Sequence, residues 1–192
     1  MSDKIKSLIA ASIAVKQQIL DDKDVHDNIS VSVDKITAAL KKGNRIWLCG
    51  NGGSAADAQH LAAEFTGRFY LNRVSLPAEA LHCNTSYLTA VANDYSYDVV
   101  YSRLVEGVCN TGDVLIGLST SGNSANIINA FEAARKKQIF TIGFTGSSGG
   151  KLKPLSDILF NIPTDDTPRI QEAHILIGHI ICQLCEENYF AS

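Results

Sequence analysis

The chain has 192 residues, with 17 Lys and Arg against 20 Asp and Glu, and a formal net charge of −3. That length buries a real core without disulfide or metal staples, and 45% hydrophobic with 19% charged residues excludes a disordered chain. The mildly acidic balance argues against a basic nucleic-acid surface, and no apolar run approaches the roughly 20 residues of a membrane helix, so neither nucleic acid nor a membrane is an expected partner.

The opening residues Met-Ser-Asp-Lys-Ile-Lys lead into mixed polar sequence rather than a secretory apolar segment, and a cytoplasmic location is the expectation. Residues 3–21 and 24–42 carry apolar residues at helical spacing, and Gly43 follows as a stop, so residues 1–43 read as a helical hairpin. The pattern then changes. Arg45-Ile-Trp-Leu-Cys49 is a short apolar run, and four more follow at 77–83, 113–118, 140–144 and 158–162. Helical stretches separate them at 55–66, 85–92, 97–108 and 125–137, and a last long helix spans 168–189. Alternating strands and helices predict an α/β fold with a mostly parallel sheet covered on both faces, in one domain of three layers.

Five cysteines without a secretory segment argue for reduced thiols. Cys182 and Cys185 form a CxxC inside an apolar helical run and read as core residues one turn apart.

Two strand–turn–helix junctions carry the chemistry. The first is Cys49-Gly-Asn-Gly-Gly-Ser54 and the second Leu118-Ser-Thr-Ser-Gly-Asn-Ser124. Each places small residues and unpaired backbone N–H groups at a helix N-terminus, where an anion is favoured. Ser119, Thr120, Ser121 and Ser124 offer four hydroxyls within six residues, more than an ordinary N-cap uses, and read as a phosphate site. Gly146-Ser-Ser-Gly-Gly-Lys151 is one residue short of a Walker A loop, and Leu152 stands where the magnesium-binding hydroxyl belongs. The first turn lacks the third glycine and the distal acid of a dinucleotide fingerprint. Without a nucleotide motif, the phosphate belongs to the substrate.

His60 and Glu64 are four apart and share a helix face, a spacing that suits metal binding or acid–base work. The last helix adds Arg169, Gln171, Glu172, His174 and His179. Glu172 and His179 share a face, whereas Gln171 and His179 differ by about 80° and about 12 Å of rise, so one ion reaches both only if the side chains lean together or one comes from a neighbouring subunit.

Together, Cys49-Gly-Asn-Gly-Gly-Ser-Ala, Ser119-Thr-Ser-Gly-Asn-Ser and Arg169-Ile-Gln-Glu-Ala-His resemble a sugar isomerase (SIS) domain, and among SIS proteins the bacterial phosphoheptose isomerases, over nearly the whole chain. The resemblance implies a single SIS domain over 1–192, with the hairpin at 1–43 and a three-layer, flavodoxin-like α/β/α core with a five-stranded parallel sheet at 44–192. It implies a homotetramer with active sites at subunit interfaces, converting sedoheptulose 7-phosphate to D-glycero-D-manno-heptose 7-phosphate, the first step toward the heptose of lipopolysaccharide cores. By motif position it implies one zinc ion per subunit on His60, Glu64, Gln171 and His179, and a phosphate loop at Ser119, Thr120, Ser121 and Ser124. Further substrate contacts fall on Asn51, Gly52, Gly53, Ser54, Glu64, Asn93, Asp94 and Gln171, with Arg68 added. Glu64 is the candidate base and His179 the candidate acid for proton transfer through an enediolate.

Two departures stand out. Pro168 occupies a position where some relatives carry Asp, and the stretch Leu81-His-Cys-Asn-Thr-Ser-Tyr leans toward a related, non-catalytic SIS protein that binds the bacterial replication initiator. That relative lacks the glutamate four residues after the helical histidine; Glu64 is present here and keeps the isomerase reading ahead of a binding or regulatory one.

Overall fold

The computed structural model describes residues 1–191. Two helices, α1 (Ser2–Asp21) and α2 (Lys23–Lys41), form the N-terminal hairpin. They break at Asp22, whose extended backbone lets its carboxylate accept from the N–H groups of Asp24 and Val25, an N-cap for α2. Then follow β1 (Ile46–Gly50), α3 (Gly53–Thr66), β2 (Ala78–Ala80), α4 (Thr85–Asp94), α5 (Val100–Val108), β3 (Val114–Leu118), α6 (Ala125–Lys136), β4 (Phe140–Thr145), β5 (Ile158–Asn161) and α7 (Thr167–Phe190).

The five strands are all parallel, in the order β2-β1-β3-β4-β5. Alternation on β1 explains the layers. Ile46 and Leu48 join a core with Ile36 of α2, Leu61 of α3 and Ile177 of α7. Trp47 and Cys49 face a second core with Tyr101 and Val105 of α5 and Phe131 of α6. Burial on both faces is why the strands read as unbroken apolar runs. Gly117 lets α6 approach closely, since a Cβ there would collide with the Phe131 ring.

The sequence elements hold with local changes. The second strand is shorter than its apolar run: Leu81 still donates to the Leu48 carbonyl, but Cys83 donates back to Ala80, and this turn feeds α4, capped by Asn84. The helix read from residue 97 opens as a 3-10 turn at Tyr97–Val99, and the Walker-like segment runs into a 3-10 helix at Gly150–Leu155 containing Pro154. The CxxC is core: both thiols are buried, Cys185 against the Val33 carbonyl, and burial pushes the Cys185 thiol up to about 12. No described helix is long and apolar enough to cross a membrane.

Strand order reverses at β1 and β3, the point where an open parallel sheet leaves a crevice at its carboxyl edge. Gly50 and Leu118 are register partners, so the turns that follow β1 and β3 leave the sheet side by side.

Candidate active site

The first turn depends on its glycines. Gly52 has φ +56°, a conformation that a Cβ strains. At Gly53 a Cβ would lie 2.5 Å from the Gln171 amide nitrogen, so the missing side chain admits Gln171 of α7 against the start of α3. Ser54 is buried in the first turn of α3, and α3 has no side-chain cap.

The second turn also leads into a helix without a side-chain cap. The Ser119 and Ser124 hydroxyls lie 3.0 Å apart, and Ser121 Oγ accepts from Asn123 N at 3.1 Å. The hydroxyls are thus gathered in the turn rather than spent on capping, which agrees with an anion cradle. The loop after β4 supports it: Gly146 N donates to the Thr120 carbonyl, Leu152 N to the Gly122 carbonyl and Lys151 N to Asn123 Oδ1. A cavity of about 320 Å³ opens beside this turn, lined by Thr120, Ser121, Asn123, Ser147, Ser148 and Asp165 among others.

His60, Glu64 and His179 meet where α3 crosses α7. His60 Nε2 lies 2.9 Å from Glu64 Oε1 and 3.4 Å from His179 Nε2. The donor atoms of all three residues fall within 4.8 Å of one another. Gly178 permits this crossing, because a Cβ there would stand 2.6 Å from Leu61 Cδ1. Phe69, from the segment after α3, packs on the His179 ring with centroids 5.7 Å apart.

Two imidazole nitrogens turned toward each other cannot both satisfy themselves as acceptors, whereas a shared cation satisfies both. Two ligands about 2.0–2.1 Å from one tetrahedral zinc stand about 3.3 Å apart, close to the 3.4 Å between His60 and His179. The donor set of two imidazoles and a carboxylate therefore fits a divalent metal.

Sequence reasoning missed Asp57. Its Oδ2 is buried without a hydrogen-bond partner, burial raises its carboxyl, and the nearby His60 and His179 oppose that shift. The signal was present: Asp57 stands three residues before His60 and seven before Glu64, on the same helix face.

Other expected residues lie elsewhere. Gln171 brings its amide against Gly53 at the start of α3. Asn93 donates to its neighbour Asp94 at 2.9 Å, both exposed at the end of α4, and Arg68 is exposed in the turn after α3. Glu172 turns away to α1, accepting from Ser12 at 2.6 Å and pairing with Arg169 at 2.8 Å, and these partners hold its carboxyl below the usual range. His174 is the core histidine of α7: it bonds the Thr145 carbonyl at 3.2 Å, and burial lowers it to about 4.

A family model described as the SIS domain matches residues 9–146. The phosphoheptose isomerase of Aneurinibacillus thermoaerophilus is 50% identical over 190 residues, 99% of this chain and 96% of that protein. The enzyme of the same name from Clostridium acetobutylicum is 50% identical over 99% of this chain and 97% of its own length. Among solved structures, phosphoheptose isomerase GmhA from Neisseria gonorrhoeae superimposes with a TM-score of 0.91 at 41% identity, covering 97% of this chain and 98% of that one. A helical hairpin, a parallel sheet with a switch-point crevice, two turns rich in glycine and hydroxyls and a histidine–glutamate cluster thus coincide with full-length similarity, and the chain belongs to the phosphoheptose isomerase family of SIS-domain proteins.

Proposed function

We propose that this protein, a single SIS domain, interconverts sedoheptulose 7-phosphate and D-glycero-D-manno-heptose 7-phosphate in the cytoplasm, the entry step toward the heptose of lipopolysaccharide cores. The observation that carries the reading is the meeting of Glu64 with His60 and His179 at the α3–α7 crossing, in a chain half identical to phosphoheptose isomerases from end to end.

The phosphate binds the N-terminus of α6 and the hydroxyls of Ser119, Thr120, Ser121 and Ser124. Its binding energy, remote from the reacting carbons, positions C1 and C2. Asn51, Gly52, Gly53 and Ser54 line the neighbouring turn, with Gln171 beside Gly53, and Asn93, Asp94 and Arg68 contact the sugar's remaining oxygens. Glu64 takes the C1 proton and returns it at C2 through an enediolate, while His179 donates and accepts protons at O1 and O2. His60, Glu64 and His179 would hold a zinc ion, with Gln171 as fourth ligand, and zinc would supply Lewis-acid polarisation of the carbonyl; because coordination weakens a base, Glu64 and His179 would carry protons only when released from the ion.

A homotetramer with sites at its interfaces suits two features of the chain. The α1 residues Ile5, Leu8, Ile9 and Ile13 form an apolar stripe between 48% and 60% exposed, and contiguous patches of that kind mark interfaces. The His60 side chain is also half exposed within one chain. Glu64 beside His60 is a pairing that a purely regulatory SIS protein does not need. The test is a coupled assay on sedoheptulose 7-phosphate, before and after chelation. Turnover that chelation removes and zinc restores is expected; absence of turnover in zinc-loaded tetramer would refute the reading.

A further inference from the structure

Asn51 of the first turn and Asn126 of α6 meet across the switch point. Asn51 Nδ2 donates to Asn126 Oδ1 at 2.9 Å, and Asn126 Nδ2 donates back to Asn51 Oδ1 at 2.9 Å. The two amides close a ring of two hydrogen bonds, and Asn126 is only 3% exposed. The Tyr97 hydroxyl also reaches Asn51 Oδ1, at 3.2 Å. A primary amide offers two acceptor lone pairs and two N–H donors. On Asn51 both acceptor positions are filled and one N–H is used, so a single N–H remains. Turning the Asn51 amide over alone would set oxygen against oxygen and nitrogen against nitrogen at a buried partner, which is costly; turning both amides together would keep the ring but set N–H in place of oxygen against the Tyr97 hydroxyl that donates to Asn51, so Tyr97 selects the orientation. The backbone alongside is held as well, since the Tyr101 hydroxyl donates to the Gly50 carbonyl at 2.5 Å.

We propose that Asn126 is a positioning residue that fixes the amide of Asn51, so that Asn51 meets the bound sugar phosphate as a hydrogen-bond donor only, toward an electron-rich oxygen. The ring also ties the first turn to the helix that begins the phosphate cradle, because Asn126 lies two residues after Ser124. The ligand's identity rests on the isomerase reading; the polarity of Asn51 does not.

The test is a double-mutant cycle on the full-length protein, read by calorimetric binding of sedoheptulose 7-phosphate and by kcat and KM, with circular dichroism as a check on folding. Asn51→Ala and Asn126→Ala should each weaken binding about tenfold, the scale of one hydrogen bond to a charged acceptor. The double variant should bind within about twofold of Asn51→Ala, because Asn126 acts through Asn51; a merely structural role would multiply the losses. Asn51→Asp, which can only accept, should bind more weakly than Asn51→Ala. Wild-type binding by folded Asn126→Ala, multiplicative losses in the double variant, or Asn51→Asp binding at least as well as Asn51→Ala would each overturn the proposal. Should Asn126→Ala fail to fold, the comparison at position 51 still decides. Wild-type protein that binds the sugar without turnover would refute the isomerase reading alone, whereas protein that does neither would refute both.

Discussion

Glu186 gives the most exacting test of how the site is held. Its carboxylate is buried and accepts from the backbone N–H groups of Phe69, Tyr70 and Leu71 at 3.0, 2.7 and 2.8 Å and from Arg73 Nε at 2.6 Å. Arg73 in turn donates to the carbonyls of Glu64 and Phe65, both at 2.8 Å, in the last turn of α3, where helix carbonyls lack internal partners. The pair thus fastens α3, α7 and the segment carrying Phe69 just beyond the histidine cluster. Burial raises the Glu186 carboxyl, but the three N–H groups and Arg73 outweigh it and hold it at about 2, from an ordinary 4.5.

That depression of roughly 2.5 units, at 1.36 kcal/mol per unit, corresponds to about 3 kcal/mol of stability. Because the folded-state pKa lies below the unfolded one, the contribution is complete above about pH 5 and is lost as pH falls toward 2. It should stand near 1.4 kcal/mol at pH 3. Glu186→Gln removes the charge and leaves Arg73 buried without its counter-ion, a class of change that costs about 3–5 kcal/mol. Urea unfolding of both proteins at one protomer concentration should give a gap of about 3 kcal/mol at pH 7, narrowing to roughly half at pH 3. A gap under 1 kcal/mol at pH 7, or one of equal size at both pH values, would show that the carboxylate does not carry the clamp.

Three further outcomes follow from the site. Glu64→Gln should abolish turnover in a coupled assay while calorimetry still registers substrate binding; comparable activity in both proteins would end the assignment of Glu64 as base. Ser119→Ala should raise KM by about tenfold and lower kcat by less, because it removes one hydroxyl from the cradle rather than a group at the reacting carbons. Gly178→Ala places a methyl group against Leu61, so overpacking should destabilise the fold by about 1–3 kcal/mol and weaken zinc retention measured by dialysis and metal analysis; unchanged stability and metal content would show that α3 and α7 do not need this close approach.

The fold was legible because its signals are local. Strand runs such as Ile46–Gly50 and Val114–Leu118 are apolar throughout, as two-sided burial requires, and the turns at 50–53 and 119–124 carry their glycines and hydroxyls in unbroken order. The spacing of His60 and Glu64 likewise settles that they share a face. Helical spacing says which residues of one helix lie together; it does not say which neighbour that face meets. His174 and His179 both sit in one apolar helix, and only packing turns the first to the Thr145 carbonyl and the second to His60. Glu172 had the spacing to join His179, yet Ser12 and Lys16 draw it to α1. The remaining pairings, Arg73 with Glu186 and Asn51 with Asn126, join residues 113 and 75 positions apart. The partner that satisfies each of these buried polar groups is set by which helices the sheet order brings together, a property of the assembled layers rather than of any one segment.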